Sequence, residues 1–186
     1  MRTTPVVATT ILVAALTLTA CSGGSNESGD DSKSSASSTS STSEKSTACK
    51  ADQFGIEFGP SNAAPAAGDT GTVPVTLTNR GATCTLRGIP GTDAYAGGTS
   101  WAVTPDEAAS KGAKLTLAKD DSATFTITYV RGAAGDAKQA AAVDTVKFTL
   151  PGDKAVQSYK WPDAEVAVKS ANELDMTVGP FLQAGD

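Results

Sequence analysis

Beyond Cys49 the apolar residues alternate with polar ones in short runs, which clusters of Gly, Pro and Asp separate. A period of two is typical of strands with one buried face, and helical periodicity is nearly absent from this part of the chain. The clearest runs are FGIEF (54–58), TVPVTLTN (72–79), TCTLR (83–87), TSWAV (99–103), KLTLA (114–118), SATFTITYV (122–130) and TVKFTL (145–150). With the later runs AVQSYKW, EVAVK and LDMTV, they predict an all-β fold, an immunoglobulin-like antiparallel sandwich.

Two kinds of segment depart from this pattern. Pro74 lies inside a predicted strand and cannot donate to a strand ladder, so we expect an edge position or an early bulge there. The Ala-rich segments TPDEAASKG (104–112) and GDAKQAAAVD (135–144) are short. We expect each to be a loop with at most one or two helical turns.

The first twenty residues have the pattern of a secretory signal. Arg2 and the amino terminus supply positive charge, and the apolar stretch from Val6 to Ala20 ends in LTAC. That ending resembles the bacterial lipoprotein cleavage motif, in which the cysteine sulfur, here Cys21, receives a diacylglyceryl group. The stretch is also shorter than the roughly 20 residues that a membrane-spanning helix needs. We therefore expect residues 1–20 to be removed, the alternative being an ordinary signal peptide or short anchor in which Cys21 has no role.

Residues 21–48 are predicted to be a disordered linker that follows the acylated cysteine. Of the 27 residues from Ser22 to Ala48, 12 are serine, and no apolar side chain is larger than alanine. Such a segment cannot bury enough apolar surface to fold. The predicted organisation is therefore a signal peptide (1–20), a lipidated linker (21–48) and one β-sandwich domain (49–186).

Composition excludes several classes of function. The net charge is -5, and the positive charges form no stripe, so no nucleic-acid partner is expected. The chain contains no histidine, which excludes Ser-His-Asp and Cys-His nucleophiles and His-ligated metal sites. We expect neither a metal nor a cofactor.

Cys49 and Cys84 remain once Cys21 is assigned to the lipid. Disulfides persist in exported proteins, so we expect these two cysteines to form one. The alternative makes Cys84 a reactive thiol. However, this residue has no histidine to activate it and alternates with Leu86, which places it on an inward face.

The stretch LTNRGATCTLRGIPG resembles the signature of a bacterial domain-of-unknown-function family, number 4232, found in secreted proteins and lipoproteins. The matching positions are Asn79, Gly81, Cys84, Leu86, Gly88, Pro90 and Gly91, with Cys49 upstream. LDMTVGP resembles the closing strand of the family, so the resemblance extends from Cys49 to Pro180. The family has no established reaction. We interpret the motif as structural: Asn79 and Gly81 in a tight turn with positive φ, Gly88 at a bulge or close approach, and Pro90 and Gly91 ending the strand.

Carboxylates and aromatic residues are the remaining candidates for chemistry. Asp106 and Glu107 with Asp120 and Asp121 could form a Ca²⁺ or acid/base cluster, although Asp-Asp-Ser before a strand is more simply a turn. The aromatic residues that could form a ligand platform are Tyr95, Trp101, Tyr129, Tyr159 and Trp161. Trp101 and Tyr129 share faces with apolar neighbours and are expected in the core. Trp161, beside Pro162 at a strand end, is predicted to be exposed and is the weak candidate for ligand contact.

These observations predict a lipid-anchored, monomeric, non-enzymatic binding or structural module on the outer face of a bacterial cell membrane. Its partners would be the lipid bilayer, through acylated Cys21, and an envelope protein, wall polymer or small ligand. We expect contact through loops such as 59–71 and 105–114. The alternative is an envelope enzyme or enzyme accessory that uses carboxylates, with or without Ca²⁺.

Overall fold

The computed structural model describes residues 47–107, 112–163 and 165–185, and this part of the chain is all-β. The predicted signal peptide, Cys21 and nearly all of the predicted linker lie outside the described residues. One 3-10 turn, Ala51–Gln53, precedes the first long strand. The strands are β1 (Thr47–Ala48), β2 (Phe54–Phe58), β3 (Thr70–Asn79), β4 (Cys84–Leu86), β5 (Gly91–Ala96), β6 (Thr99–Ala102), β7 (Thr104–Pro105), β8 (Leu115–Leu117), β9 (Ser122–Val130), β10 (Ala140–Ala141), β11 (Thr145–Thr149), β12 (Val156–Lys160), β13 (Val166–Ser170), β14 (Glu173–Leu174), β15 (Met176–Val178) and β16 (Leu182–Gln183).

The strands form several sheets. The largest has the order β2-β3-β9-β15-β7, with β16 also paired to β9, and a four-stranded sheet has the order β12-β11-β5-β6. Two small sheets, β1-β4-β8 and β10-β13-β14, complete the pairing of the described strands. Most pairs are antiparallel as predicted. The prediction was wrong for two short pairs, β1 with β4 and β15 with β7, which are parallel.

The core lies where alternating faces of the long strands meet. Val73, Val75 and Leu77 of β3 are fully buried, and every second residue of β9 from Ala123 to Tyr129 is buried as well. Phe125 of β9 contacts Phe148 of β11 edge to face, with ring centroids 5.2 Å apart. The largest sheet and the four-stranded sheet therefore share one apolar interior, and burial of these side chains is the main stabilising term.

Pro74 lies in an internal strand, so the first alternative, an edge position, was wrong, but the ladder is interrupted opposite it as the second alternative, a bulge, predicts. Phe58 pairs with Val75, and the next pair joins Asn62 to Thr72. Between these two pairs the segment that follows β2 advances by four residues, from 58 to 62, whereas β3 advances by three, from 75 to 72. The Pro74 carbonyl accepts a hydrogen bond from the Gly59 N–H at this irregularity. The missing proline N–H is therefore accommodated by a local register shift in the neighbouring segment.

The two Ala-rich segments contribute no helix to the part of the chain that the structure describes. Residues 135–144 form turns followed by β10, and residues 108–111 of the other segment lie outside the description. Thr47 and Ala48, the last residues of the predicted linker, pair with Cys84 and Thr85 as β1. No helix in the described ranges is long and apolar enough to cross a membrane.

Candidate functional site

The cysteines of the domain form the predicted disulfide. Cys49 and Cys84 are joined by an S–S bond of 2.07 Å across a sequence separation of 35 residues, and both are buried. Leu86, on the same face of β4, is also buried and pairs with Leu115 of β8. Because its sulfur is bonded and enclosed, Cys84 holds the beginning of the domain to β4 and has no thiolate with which to attack a substrate.

Asn79 is the most constrained polar residue of the motif. It is 0% exposed, and its Nδ2 donates to the carbonyl oxygens of Ala82, Leu117 and Ala118 at 3.0, 3.0 and 3.1 Å. Its Oδ1 accepts from the Gly81 N–H at 2.9 Å. The side chain therefore links the end of β3 to the loop before β4 and to the end of β8, and the polar atoms of its own buried amide are satisfied by backbone groups.

The glycines of the motif serve different purposes from those expected. Neither Asn79 nor Gly81 has a positive φ, so that part of the interpretation was wrong, although the Asn79 side chain does close a local turn through the Gly81 N–H and the Ala82 carbonyl. A Cβ at position 81 would lie 2.7 Å from Gln53 Nε2 and 3.1 Å from Gln53 Cβ, which makes close approach the reason for glycine there. Gly88 has φ +98, a conformation that favours glycine. The strand that contains Cys84, β4, ends at Leu86, and Gly91 begins β5 instead of ending a strand, directly after buried Pro90.

Asp153 ties the first residues of the domain to the turn between β11 and β12. Its Oδ2 accepts from the Ala51 N–H at 2.8 Å, and its Oδ1 accepts from the N–H groups of Lys154 and Ala155. Hydrogen bonds from Ala51 and Ala155, and then from Lys154, lower the pKa of the Asp153 carboxyl. With the disulfide, this contact gives the N-terminal segment a second attachment to the domain.

Trp161 is buried, at 3% exposed, so the prediction that it is exposed was wrong. Its backbone N–H donates to the Asp144 carbonyl at 2.8 Å, and its indole meets the Tyr129 ring edge to face at 5.3 Å. The backbone hydrogen bond fixes the main chain beside the proline, and the ring contact with Tyr129 places the indole in the core. With the ring enclosed in this way, Trp161 offers no surface for a ligand.

The remaining aromatic residues do not form a common platform. Tyr129 is buried as expected, and Trp101 is half-buried. The Tyr129 hydroxyl accepts from the Ala64 N–H at 3.3 Å; burial and then the hydrogen bond with Asp163 raise the pKa of Tyr129. The Tyr159 ring stacks on the Phe58 ring, with centroids 4.8 Å apart. Tyr95 lies on the opposite face of the four-stranded sheet, where Lys147 Nζ is placed over its ring. These rings serve packing.

The structure does not bring the two carboxylate pairs together. Asp121 accepts from the Ala118 N–H through Oδ2, as expected for a turn, and precedes the first residue of β9. The Asp106 N–H donates to the carbonyl of Val178, which pairs with Ile127 in the middle of β9. Six residues of strand correspond to about 20 Å. Among the described residues, no group of three or more acidic, Cys or His side chains could hold a metal ion.

Two surface hollows border the loops that were expected to contact partners. One has a volume of about 340 Å³ and is lined in part by Ala67, Gly68 and Arg131. The other, about 300 Å³, is lined by Arg87, Gly88, Ile89 and Pro105. Sequence reasoning selected the loops but neither arginine, because the hollows are formed by segments that are distant in the chain.

Comparison with known proteins identifies the family. No curated protein and no solved structure matches the chain. The family model described as "Domain of unknown function (DUF4232)" matches residues 49–182, which extend from the bonded Cys49 to β16 and include the whole Asn79–Gly91 motif. The chain therefore belongs to the DUF4232 family.

Proposed function

We propose that this protein is a lipoprotein on the outer face of a bacterial cell membrane, where its β-domain acts as a non-enzymatic binding or structural module. The observation that carries the proposal is the Cys49–Cys84 disulfide, which closes the domain immediately after the Ser-rich segment. A buried structural disulfide fits an exported protein, because cytosolic thiols are kept reduced. The LTAC sequence at Cys21 supplies the attachment.

The domain itself is proposed to be an immunoglobulin-like sandwich. The contact of Phe125 with Phe148 between the two large sheets, and the alternating burial along β3, β9 and β11, support this architecture. Such a sandwich presents loops at its ends, and those loops vary without disturbing the core. The domain would thus provide a rigid support for recognition loops held at a distance from the bilayer by the linker.

The buried polar groups support a binding role more than a catalytic one. Cys84 is bonded, Asn79 is saturated with backbone partners, and Tyr129 has partners at its hydroxyl. An acid/base pair needs two groups within reach of one reacting atom, whereas the Asp106 backbone is bonded to the sheet at a position six residues, or about 20 Å, along β9 from Asp121. Each of these side chains therefore has a structural role in the proposal.

Mass spectrometry of the protein from membranes of a lipoprotein-processing bacterial host tests the proposal. We expect the mature chain to begin at Cys21 and to carry the mass of a diacylglyceryl group on that residue. The Cys21→Ala variant should lack the lipid, and the matched Ser22→Ala variant should keep it. An unmodified, freely soluble mature protein would contradict the anchor, and turnover of an envelope substrate that disappears with one point mutation in the domain would contradict the non-enzymatic role.

A further inference from the structure

Arg131 is held rigidly at the edge of the 340 Å³ hollow. It follows the last residue of β9, its N–H donates to the Asp69 carbonyl at 2.9 Å, and its carbonyl accepts from the Gly68 N–H at 2.8 Å. Its Nη1 donates to the carbonyl oxygens of Ala64 and Pro65 at 2.9 and 3.0 Å. Both hydrogens of one guanidinium nitrogen are therefore used to fix the side chain, and the side of the guanidinium formed by Nε and Nη2 remains for another acceptor.

Several carboxylates in the neighbouring segments form hydrogen bonds with donors other than this arginine. Asp69 accepts from the Ala66 N–H, Asp136 accepts from the side chain of Gln139, Glu165 accepts from the Gly135 N–H, and Asp163 hydrogen-bonds to the Tyr129 hydroxyl. Within the described ranges no carboxylate oxygen lies within 4.0 Å of the Arg131 guanidinium. Arg131 is thus a half-buried, immobilised cation without an ion-pair partner in this part of the chain.

Small side chains form most of the wall of the hollow that Arg131 lines. The larger lining residues are Arg131, Gln139 and Val168; the small ones are Ala67, Gly68, Gly132, Ala133 and Ala167. A volume of 340 Å³ is at the lower end of the range for small-ligand sites and accommodates a group of one or two amino-acid residues. Because Gln139 Nε2 donates to Asp136, its Oε1 remains as an acceptor at the exposed rim.

We infer that this hollow binds the carboxylate end of a short peptide. A planar carboxylate matches the fork of a fixed guanidinium and forms two charge-assisted hydrogen bonds with it. A single cation in the lining balances one negative charge, which favours a carboxylate over a multiply charged phosphate. The Gln139 Oε1 suits the amide N–H beside a peptide carboxylate. The inference rests on the proposed binding role of the domain and gives that role a site and a ligand class.

The test is an NMR titration of the full chain, in detergent, with N-acetyl-alanyl-alanine, its C-terminal amide and glucuronate. We expect the peptide acid to shift the Arg131 Nε–H signal and the amide signals of Gly68 and Val168, and the peptide amide to leave them in place. Arg131→Lys should lower the affinity for the peptide acid about tenfold, since the substitution removes one charge-assisted hydrogen bond. Ala67→Phe should abolish binding by filling the hollow without altering the arginine, and Arg80→Lys, at an exposed ion pair, should bind normally.

Three outcomes would overturn the inference: no shift at millimolar peptide acid, equal shifts with the peptide amide, or glucuronate shifts as large as those of the peptide acid. Ala67 is exposed, so its replacement provides a test even if Arg131→Lys loosens the loop that its side chain supports. The state of Cys21 is measured separately by mass spectrometry. Failure of this site therefore leaves the anchor intact, and failure of the anchor leaves the titration interpretable.

Discussion

Replacement of Asn79 should be among the most destabilising changes at a polar residue in the domain. The side chain supplies two N–H donors, shared among three carbonyl oxygens, and one acceptor for Gly81. Its removal eliminates about three hydrogen bonds, each with a net contribution of about 1 kcal/mol, so Asn79→Ala should lower the free energy of unfolding by about 3 kcal/mol. That is a large share of the roughly 5 to 15 kcal/mol typical of a domain.

The isosteric change Asn79→Asp separates hydrogen bonding from packing. It preserves shape but directs a carboxylate at three carbonyl oxygens in a buried site, so the loss at neutral pH should exceed that of Asn79→Ala. These surroundings raise the pKa of the introduced carboxyl. Its protonation at lower pH should then restore part of the lost stability, since the neutral acid can donate one hydrogen bond.

Urea unfolding followed by tryptophan fluorescence measures both changes, because Trp161 is buried and reports loss of the core. The midpoint should fall with the m-value unchanged. Asn172→Ala, at an exposed position in the turn before β14, is the matched control and should remain within about 0.5 kcal/mol of the parent. A loss below about 1 kcal/mol for Asn79→Ala, or an Asn79→Asp variant as stable as the parent at pH 7, would refute the reasoning.

Three further changes test other parts of the structure. Replacing both Cys49 and Cys84 by serine should lower the free energy of unfolding by about 4 kcal/mol, because the lost bond closes a 35-residue loop. Urea unfolding under non-reducing conditions measures this loss, and an unchanged midpoint would contradict the prediction. Gly71→Ala should lower the free energy of unfolding by about 1 to 3 kcal/mol, since the new Cβ would lie 2.5 Å from a buried tyrosine ring. In the same assay Gly179→Ala should lower it much less, because the nearest atom to its new Cβ is 3.5 Å away. The pKa of the Asp153 carboxyl in the folded protein is below its ordinary value of 3.8. The stability that this carboxylate contributes is therefore present above pH 3.8 and is lost as the pH falls through the folded pKa. Asp153→Asn should flatten the acid side of the curve of stability against pH, and an unaltered curve would argue against the contact.

The alternation of side chains was sufficient to predict the strands that form the core. The runs that became β3, β9 and β11 have the predicted inward residues, because strand periodicity and burial of one face are properties of a local segment. The very short strands β7, β10, β14 and β16 carry no such signal, since two residues cannot display a period. Their pairing, including the parallel pair of β15 with β7, is fixed by tertiary contacts.

The wrong predictions at the candidate site have a similar cause, since they concern residues whose positions depend on contacts distant in the chain. A tryptophan beside a proline at a strand end gives a local signal of exposure, but the hydrogen bond from Trp161 to Asp144 places it on the core. The turn propensity of Asn79 concealed its bonds to residues 38 and 39 positions away. Arg131 drew no attention in the sequence, because its fixed geometry depends on carbonyl groups 66 and 67 residues earlier.

The position of the sulfur bridge also determines how the domain would respond to mechanical load. In a pull between the chain preceding Thr47 and the C-terminus, residues 50–83 belong to the covalent ring closed by Cys49 and Cys84 and carry no tension. Both β2 and β3 lie inside that ring, so force passes directly to β4 and cannot peel β2 from the edge of the largest sheet. In force spectroscopy the oxidised domain should therefore extend less on unfolding than the reduced one, by the contour length of this ring.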